Sequence, residues 1–254
     1  RHARDWEEMR PVVLGGDPAA AAAAASVGPP WCELAGARAA VAALRSAVLL
    51  PLLYPRLLAA SGVTAPAGVL LHGPPGCGKT HAVRALARAA AAASPASRVS
   101  LFARRGADCL GKYAGDCERN LRLLFDEAAA AAREEGCMSI IFLDEVDGLA
   151  PARAPAAAGG SASTHASAVA TLLALLDGVT SRGRVAVLAA TNRPDAVDPA
   201  LRRAGRFDRE VAFGPPSARD RAAVLSVHTR SWPVRPPRAL LAAVASATGG
   251  WGGA

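Results

Sequence analysis

The sequence predicts an α/β fold, a parallel five-stranded sheet flanked by helices, with a small helical subdomain after it. Three observations predict it. Short apolar runs such as Val69-Leu70-Leu71 and Ile140-Ile141-Phe142-Leu143 alternate with longer helix-like segments, the pattern of a parallel sheet covered on both faces. A glycine-rich turn, Gly73 to Gly78, lies directly between one such run and a helix. After Pro215-Pro216 the pattern becomes helical throughout. The expected divisions are therefore a linker over 1–30, a large α/β subdomain over 31–214 and a helical subdomain over 215–254.

The elements follow in order. Gly15-Gly16-Asp17-Pro18, the alanine tract Ala19 to Ala25 and Gly28-Pro29-Pro30 offer no amphipathic stripe to dock, so 1–30 reads as low-complexity linker. Val69–Leu71 is a strand, Lys79 to about Ala93 a helix, Val99–Phe102 a strand and Asp116 to about Ala132 a helix. Ser139–Leu143 is continuously apolar, as a strand buried on both faces should be. Residues 152–164, rich in Ala, Gly and Ser, read as a loop. Thr164–Leu176 is a helix whose stripe is Ala168, Val169, Leu172, Leu173 and Leu176. Val185–Ala189 is a buried strand. Asp198 and Pro199 suit the N-cap and first position of a short helix. Ala218–Thr229 and Pro237–Ala247 form the helical end, which is incomplete at its C-terminus.

Composition bounds the rest. The chain has 254 residues, of which 52% are hydrophobic and 20% charged, a globular balance rather than a disordered one. Aromatics are only 4%, and alanine supplies much of the apolar content. No apolar run reaches the roughly 18–20 residues of a membrane helix; the best, Val48 to Pro55, is broken by Pro51 and Pro55. The chain opens on Arg1 without a secretory pattern and reads as a fragment of a longer protein. The net charge of +8 permits phosphate or nucleic-acid partners. The arginines are scattered, however, which suits solvated faces plus one phosphate site and leaves nucleic-acid contact open. Five cysteines, an odd number without metal-ligand spacing, suit reduced thiols in cytosol or nucleus.

The strongest motif is Gly73-Pro74-Pro75-Gly76-Cys77-Gly78-Lys79-Thr80, which fits GxxxxGK[ST] after a strand and before a helix. Its glycines let successive N–H groups turn toward phosphate oxygens, and the helix N-terminus adds partial positive charge. Lys79 would reach the β- and γ-phosphates of ATP and the Thr80 hydroxyl would ligate Mg²⁺. The bland alternative is a chance glycine turn with a capping Thr.

Next, the apolar strand Ile140–Leu143 ends in Asp144-Glu145. Carboxylates at a buried strand end need a cation or donor to meet them. Asp144 would hold Mg²⁺ and Glu145 would activate the attacking water, a role that nucleotide binding alone does not require. The alternative is a strand that exits into a polar turn at Asp147-Gly148. Asn192, at the end of the Val185–Ala189 strand, would hydrogen-bond the γ-phosphate and the lytic water, or else simply begin a turn. Arg202, Arg203, Arg206 and Arg209 crowd eight residues and would serve a neighbouring molecule's phosphate, or form a solvated turn paired with Asp208 and Glu210. Gly111-Lys112-Tyr113-Ala114-Gly115 is a loop whose aromatic would either pack sideways or face a channel.

Taken together, the stretches Glu33–Gly36, Gly73–Thr80, Gly111–Gly115, Ile140–Glu145, Ala190–Asp195 and Asp198–Asp208 resemble the AAA ATPase module over about residues 31–254, and with it the P-loop NTPase fold. Residues 102–110, Asn120–Asp126, Asp147–Pro151, Ala170–Gly178, Ser181–Gly183 and His228–Trp232 are similar to the first AAA domain of the bromodomain-containing AAA ATPases, a nuclear histone-chaperone group. The resemblance implies that Gly73, Pro74, Pro75, Gly76, Cys77, Gly78, Lys79, Thr80 and His81 bind ATP. It implies that Thr80 and Asp144 hold Mg²⁺, that Glu145 is the Walker B base and that Asn192 is sensor 1. It implies that Arg203 and Arg206 are arginine fingers, that Lys112, Tyr113 and Ala114 form a substrate pore loop, and that Leu34, Gly36 and His228 border adenine and ribose.

It further implies a hexameric ring that remodels protein, with histones or chromatin as partner, a nuclear location and no direct membrane contact. A cytosolic unfoldase, or an ATP-binding ring scaffold with weak hydrolysis, remains as the alternative. Two departures stand out. Cys77 replaces the usual Thr and should point away from phosphate. Ala35 replaces a Gly and is expected to perturb the turn at the nucleotide's edge.

Overall fold

A computed structural model of the chain describes residues 11–14, 31, 34–62, 65–94, 97–109, 115–134, 137–152, 161–178 and 184–253. The elements are β1 (Val12–Leu14), α1 (Arg38–Leu44) running through a π turn (Arg45–Leu49) into α2 (Leu50–Leu53), α3 (Pro55–Ala60), β2 (Gly68–His72), α4 (Lys79–Ala93), β3 (Val99–Arg105), α5 (Gly106–Cys109), α6 (Asp116–Arg133), β4 (Met138–Asp144), α7 (Val146–Leu149), α8 (Ser161–Asp177), β5 (Val185–Thr191), two 3₁₀ turns (Pro194–Ala196 and Pro199–Arg202), β6 (Arg209–Ala212), α9 (Ala218–His228) and α10 (Arg238–Ala247). None of the described helices is long and apolar enough to cross a membrane.

The strand order is β1-β3-β4-β5-β2-β6. β2 to β6 run parallel, so the expected five parallel strands are present, and β1 adds an antiparallel edge beside β3. That edge corrects the expected linker. Leu14 is fully buried and pairs with Val99, so at least this part of 1–30 is sheet; 1–10 and 15–30 lie outside the described residues.

Alternate strand residues feed two separate layers, as a period of two requires. Leu70, Phe102, Ile141, Leu143, Val187 and Ala189 pack with Leu121, Leu124 and Phe125 of α6 and Leu172 and Leu176 of α8. Val69, Leu71, Leu101, Ile140, Phe142, Leu188 and Ala190 pack with Leu44, Val48 and Leu52 and with Ala82, Val83 and Leu86 of α4. Alanines on α4 let that helix lie close to the sheet. On α6, Asp116 and Glu118 sit in the first turn and Arg133 in the last, each favourable to the helix dipole.

Sequence reading left 38–60 unassigned because two prolines interrupt it. Pro55 falls at the start of α3, where no N–H is needed, whereas Pro51 lies inside the continuous helical run, directly after the π turn, and removes one of its donors. The residues expected as a loop at 152–164 are already helical from Ser161, while 153–160 lie outside the described residues. Asp198 caps the short turn as expected, accepting from the Ala200 amide at 2.8 Å. Ser217 and Asp220 form a reciprocal capping box at the start of α9.

Candidate functional site

The strand order decides where the chemistry gathers. β5 lies between β4 and β2, so the C-terminal ends of these three strands bring the Asp144-Glu145 corner, Asn192 and the glycine-rich loop to one edge of the sheet. Ligands of open parallel sheets bind at this edge.

The loop has the shape its glycines permit. Gly73 has φ 146°, and a Cβ there would collide with the Phe213 carbonyl, so β2 exits in contact with the segment that follows β6. Gly76 and Gly78 are left-handed, with φ 73° and 86°. Gly78 stands at the N-cap of α4, and no side chain caps that end, which leaves its amides to an incoming anion. Cys77 packs against the core layer beneath the loop and also lines the cavity above it.

Lys79 is 7% exposed. Its ammonium donates to the Gly73 carbonyl at 2.7 Å, the Pro74 carbonyl at 2.9 Å and Asn192 Oδ1 at 2.7 Å. Burial lowers its pKa, opposed by the nearby Cys77 and Asp144. The cation is thus suspended over the loop on carbonyl oxygens and an amide, weak anchors that a phosphate oxygen would outcompete. Thr80 Oγ1 donates to Asp144 Oδ2 at 2.7 Å. A hydroxyl and a carboxylate held side by side are hard oxygen donors, and the pair fits a magnesium ion.

Asp144 Oδ1 also accepts from the Glu145 amide at 3.0 Å. Glu145 has φ 54°, and among the described residues no other non-glycine has φ in the left-handed region. Such a conformation persists only where surroundings enforce it. Here it turns the chain sharply off β4 and leaves the Glu145 carboxylate at the rim of a cavity of about 620 Å³, a size that suits a nucleotide-scale ligand.

Leu34 and Gly36, Phe213 to Pro216, and Val224, Val227 and His228 of α9 all line that cavity. His81 also faces it, and its pKa is lowered by desolvation, with Arg84 and His228 adding to the effect. The left-handed residue of the edge turn is Gly36 (φ 88°), packed on Asp220, whereas Ala35 has an ordinary backbone. The substitution at Ala35 therefore leaves the turn intact.

Sequence reasoning missed several contributors. The Gly253 amide donates to the Gly76 carbonyl at 2.8 Å, so the chain's last described residues brace the loop. Ala40, Val224 and Val227 form apolar wall that no motif marks; α9 shows no clear apolar stripe that would have revealed it.

The arginine cluster divides. Arg202 forks onto Glu210 at 2.7 and 3.0 Å. Arg206 forks onto Asp177 at 2.9 and 3.2 Å and donates to the Ala200 carbonyl at 2.8 Å. Arg203 is exposed and makes no side-chain hydrogen bond or ion pair among the described residues. The two expected fingers are therefore in different states. Lys112, Tyr113 and Ala114 lie outside the described residues.

Residues 69–215 match the family model described as "ATPase family associated with various cellular activities (AAA)". Over 211 residues, 83% of this chain, the sequence is 51% identical to the protein named ATPase histone chaperone abo1 of Schizosaccharomyces pombe and 50% identical to ATPase histone chaperone YTA7 of Saccharomyces cerevisiae. It is 47% identical over 214 residues to the human ATPase family AAA domain-containing protein 2. The chain spans 17%, 14% and 15% of the length of these three relatives.

Proposed function

The chain belongs to the AAA family of ATPases, and from that premise we propose that it binds Mg-ATP in the 620 Å³ cavity, hydrolyses it there and uses the energy to remodel a protein partner. The observation that carries this reading is the convergence of Lys79, the Thr80–Asp144 pair, Glu145 and Asn192 on one cavity from three adjacent strand ends.

The loop amides and Lys79 bind the triphosphate, and Lys79 exchanges its carbonyl and amide anchors for phosphate oxygens. Thr80 and Asp144 hold Mg²⁺, which supplies charge neutralisation at those oxygens when bound. Glu145 takes the proton of the attacking water, a contribution of about 10²–10⁴ in rate for a positioned base. Asn192 orients the water against the terminal phosphate. Leu34, Gly36 and His228 flank the base and sugar.

Arg203 reaches the phosphate of an adjacent subunit in a ring, which we take to be hexameric, and Arg206 joins it after leaving Asp177. Tyr113, with Lys112 and Ala114, grips the polypeptide substrate. The relatives named as histone chaperones support histones or chromatin as the partner and the nucleus as the location.

Glu145→Gln tests this directly. It should retain binding of a fluorescent ATP analogue while hydrolysis falls at least about 10²-fold. Turnover equal to wild type in that variant would remove Glu145 from the chemistry.

A further inference from the structure

We propose that Asp147 and Thr191 form a positioning pair, which locks the left-handed Glu145 turn to the exit of β5 so that the base and the Asn192 amide address the same phosphate. The inference rests on the roles given above to Glu145 and Asn192.

Thr191 is 1% exposed, and its hydroxyl is used in both directions. It donates to Asp147 Oδ1 at 2.7 Å and accepts from the Arg193 amide at 2.9 Å. Asn192 therefore lies between Thr191 and Arg193, the residue whose amide donates to this hydroxyl. Asp147 stands two residues beyond Glu145 on α7, and Glu145 itself is the N-cap of that short helix. One side-chain bond thus connects the turn carrying the base to the strand end carrying the amide.

The turn is confined from its other side as well. Gly106, at the start of α5, sits so close beneath the Glu145 carbonyl that a Cβ would overlap it. Backbone bonds from Ala152 to the Ala196 carbonyl at 2.6 Å and from Asp198 to the Ala150 carbonyl at 3.1 Å lace the two exits together further along. Those laces keep the segments adjacent without fixing the angle at which Glu145 and Asn192 emerge. The Thr191–Asp147 bond acts within one or two residues of both, where a displacement of about 1 Å costs on the order of 10²-fold in rate.

The test is single-turnover ATP hydrolysis by the full chain at concentrations where it self-associates, together with nucleotide affinity and melting temperature. Thr191→Val and Asp147→Ala should each slow hydrolysis by about 10- to 100-fold while ATP affinity shifts by less than about threefold. Thr191→Ser and Asp147→Asn keep a donor and an acceptor and should stay within about threefold of wild type. The Thr191→Val, Asp147→Ala double variant should be no slower than its worse parent.

Asp147 is half-exposed, so its variants keep the inference testable if Thr191→Val fails to fold. Hydrolysis at the wild-type rate in Asp147→Ala, or an equal loss in Thr191→Ser and Thr191→Val, overturns the pair. Glu145→Gln, run alongside, separates the two levels: wild-type hydrolysis there defeats the base assignment, whereas an inert Glu145→Gln beside an unimpaired Asp147→Ala defeats only the positioning pair.

Discussion

The glycine-rich loop and the arginine-bearing segment 202–210 lie on the same sheet and are finished to different degrees. In the loop, Lys79 is buried and every donor direction of its ammonium meets an oxygen of the same chain. In the arginine segment, Arg202 and Arg206 have acidic partners, whereas Arg203 projects into solvent without one. A single chain can complete a binding cradle by itself, because loop amides and a strand-end amide are all local to one sheet edge. Arg203 finds no acidic partner among the described residues of its own chain. Under the proposed function, one copy would suffice to bind nucleotide, and full turnover would need several.

The sharpest way to break the comparison is Arg203→Ala. If Arg203 serves a neighbour, hydrolysis should drop by about 10³–10⁵ at concentrations where wild type associates, with nucleotide affinity unaltered. Mixing this variant with Lys79→Ala should restore part of the rate, since each copy supplies what the other lacks; titrating the mixture in a phosphate-release assay reads the recovery. No recovery at any ratio would return Arg203 to an ordinary surface charge.

Arg206→Ala should have a smaller effect on rate and a distinct one on the fold. The bidentate Asp177 pair is solvent-exposed, and water and salt screen such pairs so that they contribute little to stability. The variant should therefore melt only slightly lower than wild type, by differential scanning calorimetry, and any larger loss of turnover reports a role outside its own chain. The pair also has a defined pH sense. Its hydrogen bonds from Arg206 hold the Asp177 carboxyl below its ordinary value, so its contribution is present above the unfolded carboxylate pKa and disappears as pH falls through the lower folded one. Melting of wild type and Arg206→Ala should accordingly converge at acid pH.

The edge strand supplies a contrast inside the scaffold. Leu14→Ala removes a fully buried side chain that does not line the cavity and should cost about 2–5 kcal/mol in urea unfolding while nucleotide affinity of the folded fraction is unchanged. A loss of affinity in step with stability would mean that the cradle depends on this edge.

Much of this was readable before any coordinates. The helix over Lys79–Ala93, the strand over Val185–Ala189, which the structure extends to Thr191, and the Asp198 cap came from local pattern and capping chemistry, which act over a few residues. Val12–Leu14 was unreadable because three residues ahead of a glycine- and alanine-rich stretch carry no period, and only pairing with β3 makes them a strand. The helices over 38–60 were hidden by two prolines, one of which the structure seats at a helix start and the other just after a π turn within a continuous helix. In the cavity, the loop and acid corner were legible as motifs, while the wall from Ala40, Val224 and Val227 was not, since apolar side chains at that spacing look the same whether they meet core or ligand.

The sequence alone determined the glycine-rich loop and the two acids, because forced backbone angles, and carboxylates at the end of a buried strand, restrict residue choice locally. The tertiary structure decided what those groups meet. Lys79 finds Asn192 across 113 residues, and Arg206 finds Asp177 across 29, pairings fixed by the order in which strands lie side by side and not by any pattern along the chain.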